Sequence, residues 1–490
     1  MSVRHPPSAL LTDLYQLTMA YAYWKSGTHT KEAVFHLFFR KNPFQSGFSI
    51  NCGLQDVVDY LRAFRFDRSD LDYLAGLSGS DGKPLFDAGF LQYLNELRLS
   101  VDLDGIPEGT IVFPNEPLLR IQGPIIEGQL LETALLNIVN FQTLIATKAA
   151  RICVATKGDP VLEFGLRRAQ GIDGALAASR AAYIGGCAAT SNVLAGRLFG
   201  IPVRGTHAHS WVMSFDDELE AFQAYARAMP NNCIFLVDTY DTLAGVRKAI
   251  EAGQWLRSEG HEMIGIRLDS GDLAYLSIEA RSMLDEAGFP KAAIVASNDL
   301  DEQTIVSLRD QGAAINVWGV GTRLVTGYDQ PAMGGVYKLA AIRQPGGSWK
   351  YKVKLSEQAV KVSNPGIQQV RRFQQDGEFL GDVIYDVELG LSDGSVIIDP
   401  LDATRRKRIP SSATAHDLLV PIFRKGKEVC ELPPIQAVRE RAQQQLAGFH
   451  SGIKRFLNPH EYPVGLEPRL LDLRTRLILE ARGHTDQTVG

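Results

Sequence analysis

Two histidines and a threonine fall within four residues in Gly205-Thr206-His207-Ala208-His209-Ser210, just after the apolar run Ile201 to Val203. An imidazole at a strand's end can serve as a nucleophile or as a general acid or base. A His-x-His pair can instead clamp a metal through both rings. That reading needs more histidines on later strand ends. His261 precedes its strand, on the wrong side, and the others lie outside this region. No protein metal site is therefore expected, and one histidine beside phosphate-binding groups is the better fit.

Further groups of this kind follow. Arg267-Leu268-Asp269-Ser270-Gly271-Asp272 offers an arginine able to clamp a carboxylate by two parallel hydrogen bonds. Its aspartates suit ribose hydroxyls or water around Mg²⁺. Gly319-Val320-Gly321-Thr322 is a glycine turn whose backbone N–H groups can cradle a phosphate. Arg167, Arg168, Asp238, Asn298 and Asp299 close other apolar runs. A simpler role is open for some of them. Arg267 and Asp269 can be a structural pair, and Asp241 and Asp299 can cap the next helix. Capping explains neither the arginines nor the His-x-His.

These residues need a scaffold that brings strand ends together. From residue 160, β-branched and apolar runs recur at 161–165, 202–206, 234–239, 264–271, 293–299 and 315–321, with one more at 335–342. Helical stretches at 179–199, 217–228, 241–257, 272–287 and 301–312 fill the gaps. Continuous apolar strands alternating with helices predict an α/β fold with a parallel sheet, closer to a barrel than to an open sheet. A barrel would set every polar strand end on one rim. Before it, a helix over 8–25 capped by Ser8 or Thr12, strands at 33–39 and 48–50, helices at 54–64, 69–76 and 88–98, and short strands in 101–121 predict a small α+β domain. Strands at 350–355 and 382–387 and helices at 433–446 and 466–482 complete a tail expected to return to it. The expected divisions are 1–128, 129–343 for the barrel, and 344–490.

A chain of 490 residues predicts two or three domains. Its net charge of −5 argues against nucleic acid as partner, and Arg405-Arg406-Lys407-Arg408 reads as a solvated loop. Five cysteines without a C-x-x-C pair suggest reduced thiols in a cytoplasmic protein. No signal peptide is evident. The long apolar segment Leu130 to Ala150 carries Glu132, Asn137, Asn140, Gln142 and Lys148, so a buried helix and no membrane span is expected.

Taken in order, L-L-T-D-L-Y-Q-L-T-M-A-Y (10–21), E-F-G-L-R-R-A-Q-G (163–171), G-T-H-A-H-S (205–210), R-L-D-S-G-D (267–272), S-N-D-L-D-E (297–302), G-V-G-T (319–322) and G-G-V-Y-K-L (334–339) resemble the nicotinate phosphoribosyltransferase family. The resemblance runs from residue 10 to about 340 and more loosely beyond. It implies an irregular, incomplete β/α barrel joined to an α+β domain built from both chain ends. It also implies that nicotinate, phosphoribosyl pyrophosphate and ATP, with Mg²⁺ accompanying the phosphates, give nicotinate mononucleotide. His209 matches the family's phosphorylated histidine. Tyr15 and Phe164 match the aromatic groups around the pyridine ring, with Tyr15 donated across a homodimer that shares its active sites. Thr206 and Arg267 match nicotinate contacts and Thr322 a phosphate contact, while Arg167, Asp269, Asn298, Gly319 and Gly321 match positions around the ribose and phosphates. The family's nicotinamide-using relative carries Asp after the Gly-Thr. Here that position is His207, which favours the acid over the amide and is expected to face solvent at the rim. A nicotinamide or quinolinate enzyme, or a non-catalytic pyridine-nucleotide binder, remains the alternative.

Overall fold

The computed structural model describes residues 8–392 and 394–484. The chain divides into two compact units, one from the segments up to Leu144 and from Ala332 onward, the other from Ile145–Pro331.

In the first unit a seven-stranded antiparallel sheet is centred on Glu32–Phe39 and Leu119–Pro124. Almost every residue of Glu32–Phe39 is buried, which explains its unbroken apolar run. The strand expected at 335–342 forms as Gly335–Arg343, but it pairs antiparallel with Glu32–Phe39 and takes no part in the parallel sheet. Its sequence explains this. Lys338 and Arg343 make it half-exposed, whereas a parallel strand is covered on both faces. Val420–Arg424, from the tail, pairs with Asp102–Gly105 in the same sheet. A second sheet holds Glu378–Asp386, which contains most of the strand expected at 382–387. Tail helices run over Ile435–Ala447 and Pro468–Ala481.

The first helix is Leu14–Lys25, with Asp13 at its N-cap. Ser8 does not cap it, because its hydroxyl accepts from the Leu10 N–H instead, and Thr12 lies one residue too early. The helix Ile125–Ala155 is long and apolar enough to cross a membrane, but it is mostly buried and several of its polar groups are paired within the protein. Glu127 accepts from the backbone N–H and hydroxyl of Ser100, while Lys148 and Arg151 both meet Glu302 at 2.8 Å.

The second unit is a parallel sheet of β1 (Val161–Glu163), β2 (Ala189–Thr190), β3 (Ile234–Leu236), β4 (Gly265–Leu268), β5 (Ala293–Ser297) and β6 (Val317–Val320), in the order β2-β1-β6-β5-β4-β3. Between them lie α1 (Gly171–Ile184), α2 (Val193–Phe199), α3 (His209–Met213), α4 (Glu218–Ala228), α5 (Thr242–Ser258), α6 (Leu273–Glu286) and α7 (Glu302–Asp310). Asp241, Asp272 and Asp301 cap α5, α6 and α7 through backbone N–H groups. Capping thus falls to Asp301 and not to Asp299, and Asp272, one of the aspartates suited to ribose or Mg²⁺-bound water, caps α6 through Oδ1.

Residues 202–206 do not form the expected strand. Only a bridge joins Val203 to Thr190, and the strand itself is β2, inside the stretch expected as one helix. Gly186 turns the chain out of α1 at φ 121°, and the Asn192 side chain caps α2 by accepting from the Ala195 N–H. Pro202 lacks a ladder N–H, and beyond the bridge the chain runs on as a loop to α3.

Candidate active site

The polar residues gather where the parallel strands end. Arg267, on β4, donates to the Thr206 hydroxyl at 2.8 Å, to the Ser297 hydroxyl at 2.9 Å and to Asp269 at 3.3 Å. Ser297 closes the circuit by donating to Asp269. Two strand ends and the loop before α3 are thereby tied to one half-buried guanidinium, and two N–H groups of a planar fork suit a carboxylate ligand.

His209 begins α3 beside the same carboxylate. Its Nε2 lies 3.8 Å from Asp269 and 4.0 Å from Asp238, and its Nδ1 lies 3.2 Å from the Thr239 hydroxyl. The Asp238 side chain is 1% exposed. One of its oxygens accepts from the Asp269 N–H and the Ser270 hydroxyl. The other, Oδ1, is buried and accepts no hydrogen bond among the described residues. Such a carboxylate is costly unless a cation or donor faces it.

Phe164 follows β1 with its ring over Gly319. A Cβ at Gly319 would come within 2.8 Å of that ring and 3.3 Å of Ser297. Only glycine leaves room for the aromatic face here. Beneath the ring, buried Glu163 accepts from the hydroxyls of Ser179 and Thr190 and from the Gly165 N–H, locking the loop to α1 and β2. At the end of β5, Asn298 is exposed with φ 127°, a strained backbone for a residue with a side chain. Gly321 and Thr322 turn the chain after β6.

His207 is not the solvent-facing residue expected. It is 8% exposed, its Nε2 accepts from the Leu236 N–H at 3.2 Å, and its ring packs edge-on against Tyr225. Burial pushes its pKa down to about 4. The two histidines therefore hold different partners and do not converge on a metal. Among the described residues no group of His, Cys, Asp and Glu is arranged to hold a metal ion.

The structure thus brings together Thr206, His209, Arg267 and Asp269, and separately Phe164 and Gly319. Arg167 is exposed on the turn after β1, and Tyr15 lies in the other unit, 50% exposed.

Sequence models of the nicotinate phosphoribosyltransferase (NAPRTase) N-terminal domain, family and C-terminal domain match residues 10–140, 160–348 and 367–474. Nicotinate phosphoribosyltransferase of Bacillus subtilis is 45% identical over 484 residues, which cover 98% of this chain and 97% of that protein. The chain belongs to the nicotinate phosphoribosyltransferase family. Nicotinate phosphoribosyltransferase of Caenorhabditis elegans is 38% identical, covering 96% of this chain and 93% of its own length. The crystal structure of human nicotinic acid phosphoribosyltransferase matches at a TM-score of 0.82 and 33% identity, over 95% of this chain and 99% of that one. Nicotinate-nucleotide pyrophosphorylase from Pyrococcus furiosus, at a TM-score of 0.69 and 23% identity over 90% of this chain and 95% of that one, shares the fold.

Within this nicotinate phosphoribosyltransferase fold, the sequence sets Asp238 among the polar strand ends without giving it a role, and does not mark Thr239 or Ser297 as site residues. Asp238 ends the apolar run Ile234 to Val237 as Asp269 ends its own, so the signal was available. Nothing local marks Ser297 or Thr239, because their roles arise only from strand adjacency.

Proposed function

We propose that the chain is an ATP-coupled nicotinate phosphoribosyltransferase. Nicotinate, phosphoribosyl pyrophosphate, ATP and water give nicotinate mononucleotide, pyrophosphate, ADP and phosphate, a salvage step toward NAD. The observation that carries this reading is that Asp269 bridges Arg267 and His209, one oxygen 3.3 Å from the guanidinium and the other 3.8 Å from the imidazole. An anion clamp and a candidate phosphoryl acceptor thus share one carboxylate.

In this mechanism the nicotinate carboxylate binds Arg267 and Thr206, and Phe164 supplies a flat face for the pyridine ring. The pyridine nitrogen's lone pair forms the bond to the anomeric carbon as the bond to pyrophosphate breaks, and pyrophosphate leaves with that electron pair. Positive charge building on the ribose is stabilised by Asp269. Asn298 and the turn carrying Gly319, Gly321 and Thr322 hold ribose and phosphate, with Arg167 beside them. Asp238 and Asp269 flank His209 on its Nε2 side, so the ring's proton belongs there and the Nδ1 lone pair is the nucleophile toward the γ-phosphoryl group of ATP. The P–N bond forms as the bond to ADP breaks, and water later releases phosphate. A phosphoryl group at this point places new charge beside Asp269 and Arg267, which couples ATP to synthesis. Asp269 and the open Oδ1 of Asp238 would be the oxygens to hold a Mg²⁺ ion bound with the phosphates, and the ion would neutralise phosphate charge.

We read the parallel sheet as an incomplete β/α barrel, open between β2 and β3. Tyr15 stands on the helix Leu14–Lys25 beside exposed Leu11, Leu14 and Met19. That apolar face supports a homodimer in which Tyr15 of a second copy reaches the pyridine ring. Five free cysteines support a cytoplasmic enzyme.

Competition among nicotinate, nicotinamide and quinolinate in one turnover assay tests the substrate. We expect kcat/KM for nicotinate to exceed the others by on the order of a hundredfold or more, since a carboxylate-binding arginine lies at the site. Equal use of nicotinamide overturns the reading, and calorimetric binding without turnover would make the chain a binding protein.

A further inference from the structure

The parallel sheet leaves one edge of β3 without a neighbouring strand among the described residues. Successive backbone N–H groups of a strand point to opposite edges. The Val237 N–H bonds to the Arg267 carbonyl on the β4 side, so the Leu236 N–H points to the open edge, where Leu236 is fully buried. A buried N–H without an acceptor is strongly disfavoured. Its acceptor is the Nε2 of His207 at 3.2 Å. An accepting Nε2 carries no proton, so the ring hydrogen is assigned to Nδ1, which faces the Ala208 carbonyl at 3.4 Å. Tyr225 and Phe222 of α4 wall the ring at centroid distances of 4.9 and 6.2 Å.

The same loop is held from its other side. Arg267 donates to the Thr206 hydroxyl and, at 3.4 Å, to the carbonyl of His207. Two residues on from His207, His209 meets Thr239, which is three residues on from Leu236. The loop and the chain leaving β3 therefore run alongside one another, with the His207 contact at the start and His209 at the end, beside Asp238. A histidine here does what a ladder hydrogen bond does elsewhere in the sheet.

We propose that His207 is a positioning residue for the phosphoryl acceptor: its ring, bonded across the open sheet edge to Leu236, sets His209 in register with Asp238 and Thr239. This rests on the reading of His209 given above. What the role requires is an acceptor at the reach of Nε2, and not a charge or a metal-binding nitrogen. Glutamine has its side-chain oxygen at a comparable reach. Leucine fills the space without an acceptor, and asparagine has an acceptor one bond too short. Misplacement of a reacting group by about 1 Å can cost on the order of a hundredfold in rate.

The test is the rate at which γ-labelled ATP transfers acid-labile phosphate to the full-length protein, by rapid quench, in wild type, His209→Asn, His207→Leu, His207→Asn and His207→Gln. Wild type is expected to take up label and His209→Asn none. His207→Leu and His207→Asn should label about ten- to a hundredfold more slowly, and His207→Gln within about threefold of wild type. If His207→Leu does not fold, His207→Asn carries the comparison. Label entering His207→Leu or His207→Asn at the wild-type rate overturns the positioning role. So does a His207→Gln protein that melts like wild type yet labels as slowly as His207→Leu. Wild-type protein that takes no label, or His209→Asn that still does, overturns the phosphohistidine reading and the positioning role built on it.

Discussion

Oδ1 of Asp238 stands 4.0 Å from Nε2 of His209, buried and without a hydrogen-bond donor among the described residues. A positive charge on the imidazole would face this oxygen, and the carboxylate is already held by the Asp269 N–H and the Ser270 hydroxyl. Pre-positioned charge of this kind favours the charged state without reorganisation. Replacing Asp238 by Asn keeps those size and packing relations but removes the charge. Steady-state kinetics of Asp238→Asn should show the ATP-dependent increment in turnover falling by about 10²-fold. An increment equal to wild type would remove Asp238 from the account.

Arg267 makes its contacts through a planar fork, which a lysine cannot reproduce. Losing a charge-assisted hydrogen bond of about 1.5–3 kcal/mol corresponds to roughly ten- to a hundredfold in binding. Arg267→Lys should therefore raise KM for nicotinate by at least about tenfold. Initial-rate measurements over a range of nicotinate concentrations check this.

Gly319 gives the Phe164 ring its seat, since an added Cβ would lie 2.8 Å from it. Gly319→Ala should tilt the ring and raise KM for nicotinate several-fold, with a smaller effect on the melting temperature. A variant with unchanged KM would mean that the ring does not face the pyridine.

Continuous apolar runs ending in Arg267-x-Asp269 and Gly319-x-Gly321 marked strand ends in advance, because a strand covered on both faces can be polar only where it leaves the sheet. The strand at 189–190 was hidden, since Ala189 and Thr190 are too few to set a period and lie between two helices. Gly335–Arg343 follows the strand–helix repeat and reads as one more of its strands; only Lys338 and Arg343 mark it as half-exposed, and its antiparallel partner Glu32–Phe39 lies far away in the sequence. His207 shows the same limit. Its burial depends on an open edge that only the sheet order creates.

Two buried histidines make stability depend on pH. His36 accepts from the Gln368 N–H, and burial, with Arg120 nearby, lowers its pKa to about 3; burial lowers that of His207 to about 4. An unfolded histidine titrates near 6.5, so below that pH the unfolded chain binds protons that the folded chain refuses. Each contribution is complete above about pH 6.5 and is lost as pH falls toward about 4 for His207 and about 3 for His36. At ~1.4 kcal/mol per pH unit, the His207 share is about 3 kcal/mol. Buried Glu116 acts in the opposite sense, because burial and Asp382 keep its proton on in the folded state. Single variants separate the effects. The melting temperature of wild type relative to that of His207→Gln should fall between pH 7 and pH 4.5, and a constant difference would contradict the assignment.

The phosphoryl-acceptor role of His209 is the centre of the account. It is tested most directly by nicotinate-dependent pyrophosphate release from phosphoribosyl pyrophosphate, measured with and without ATP in wild type and His209→Asn. The account predicts that ATP raises the wild-type rate and that His209→Asn loses this increment. An ATP-dependent increment of wild-type size in His209→Asn would contradict it.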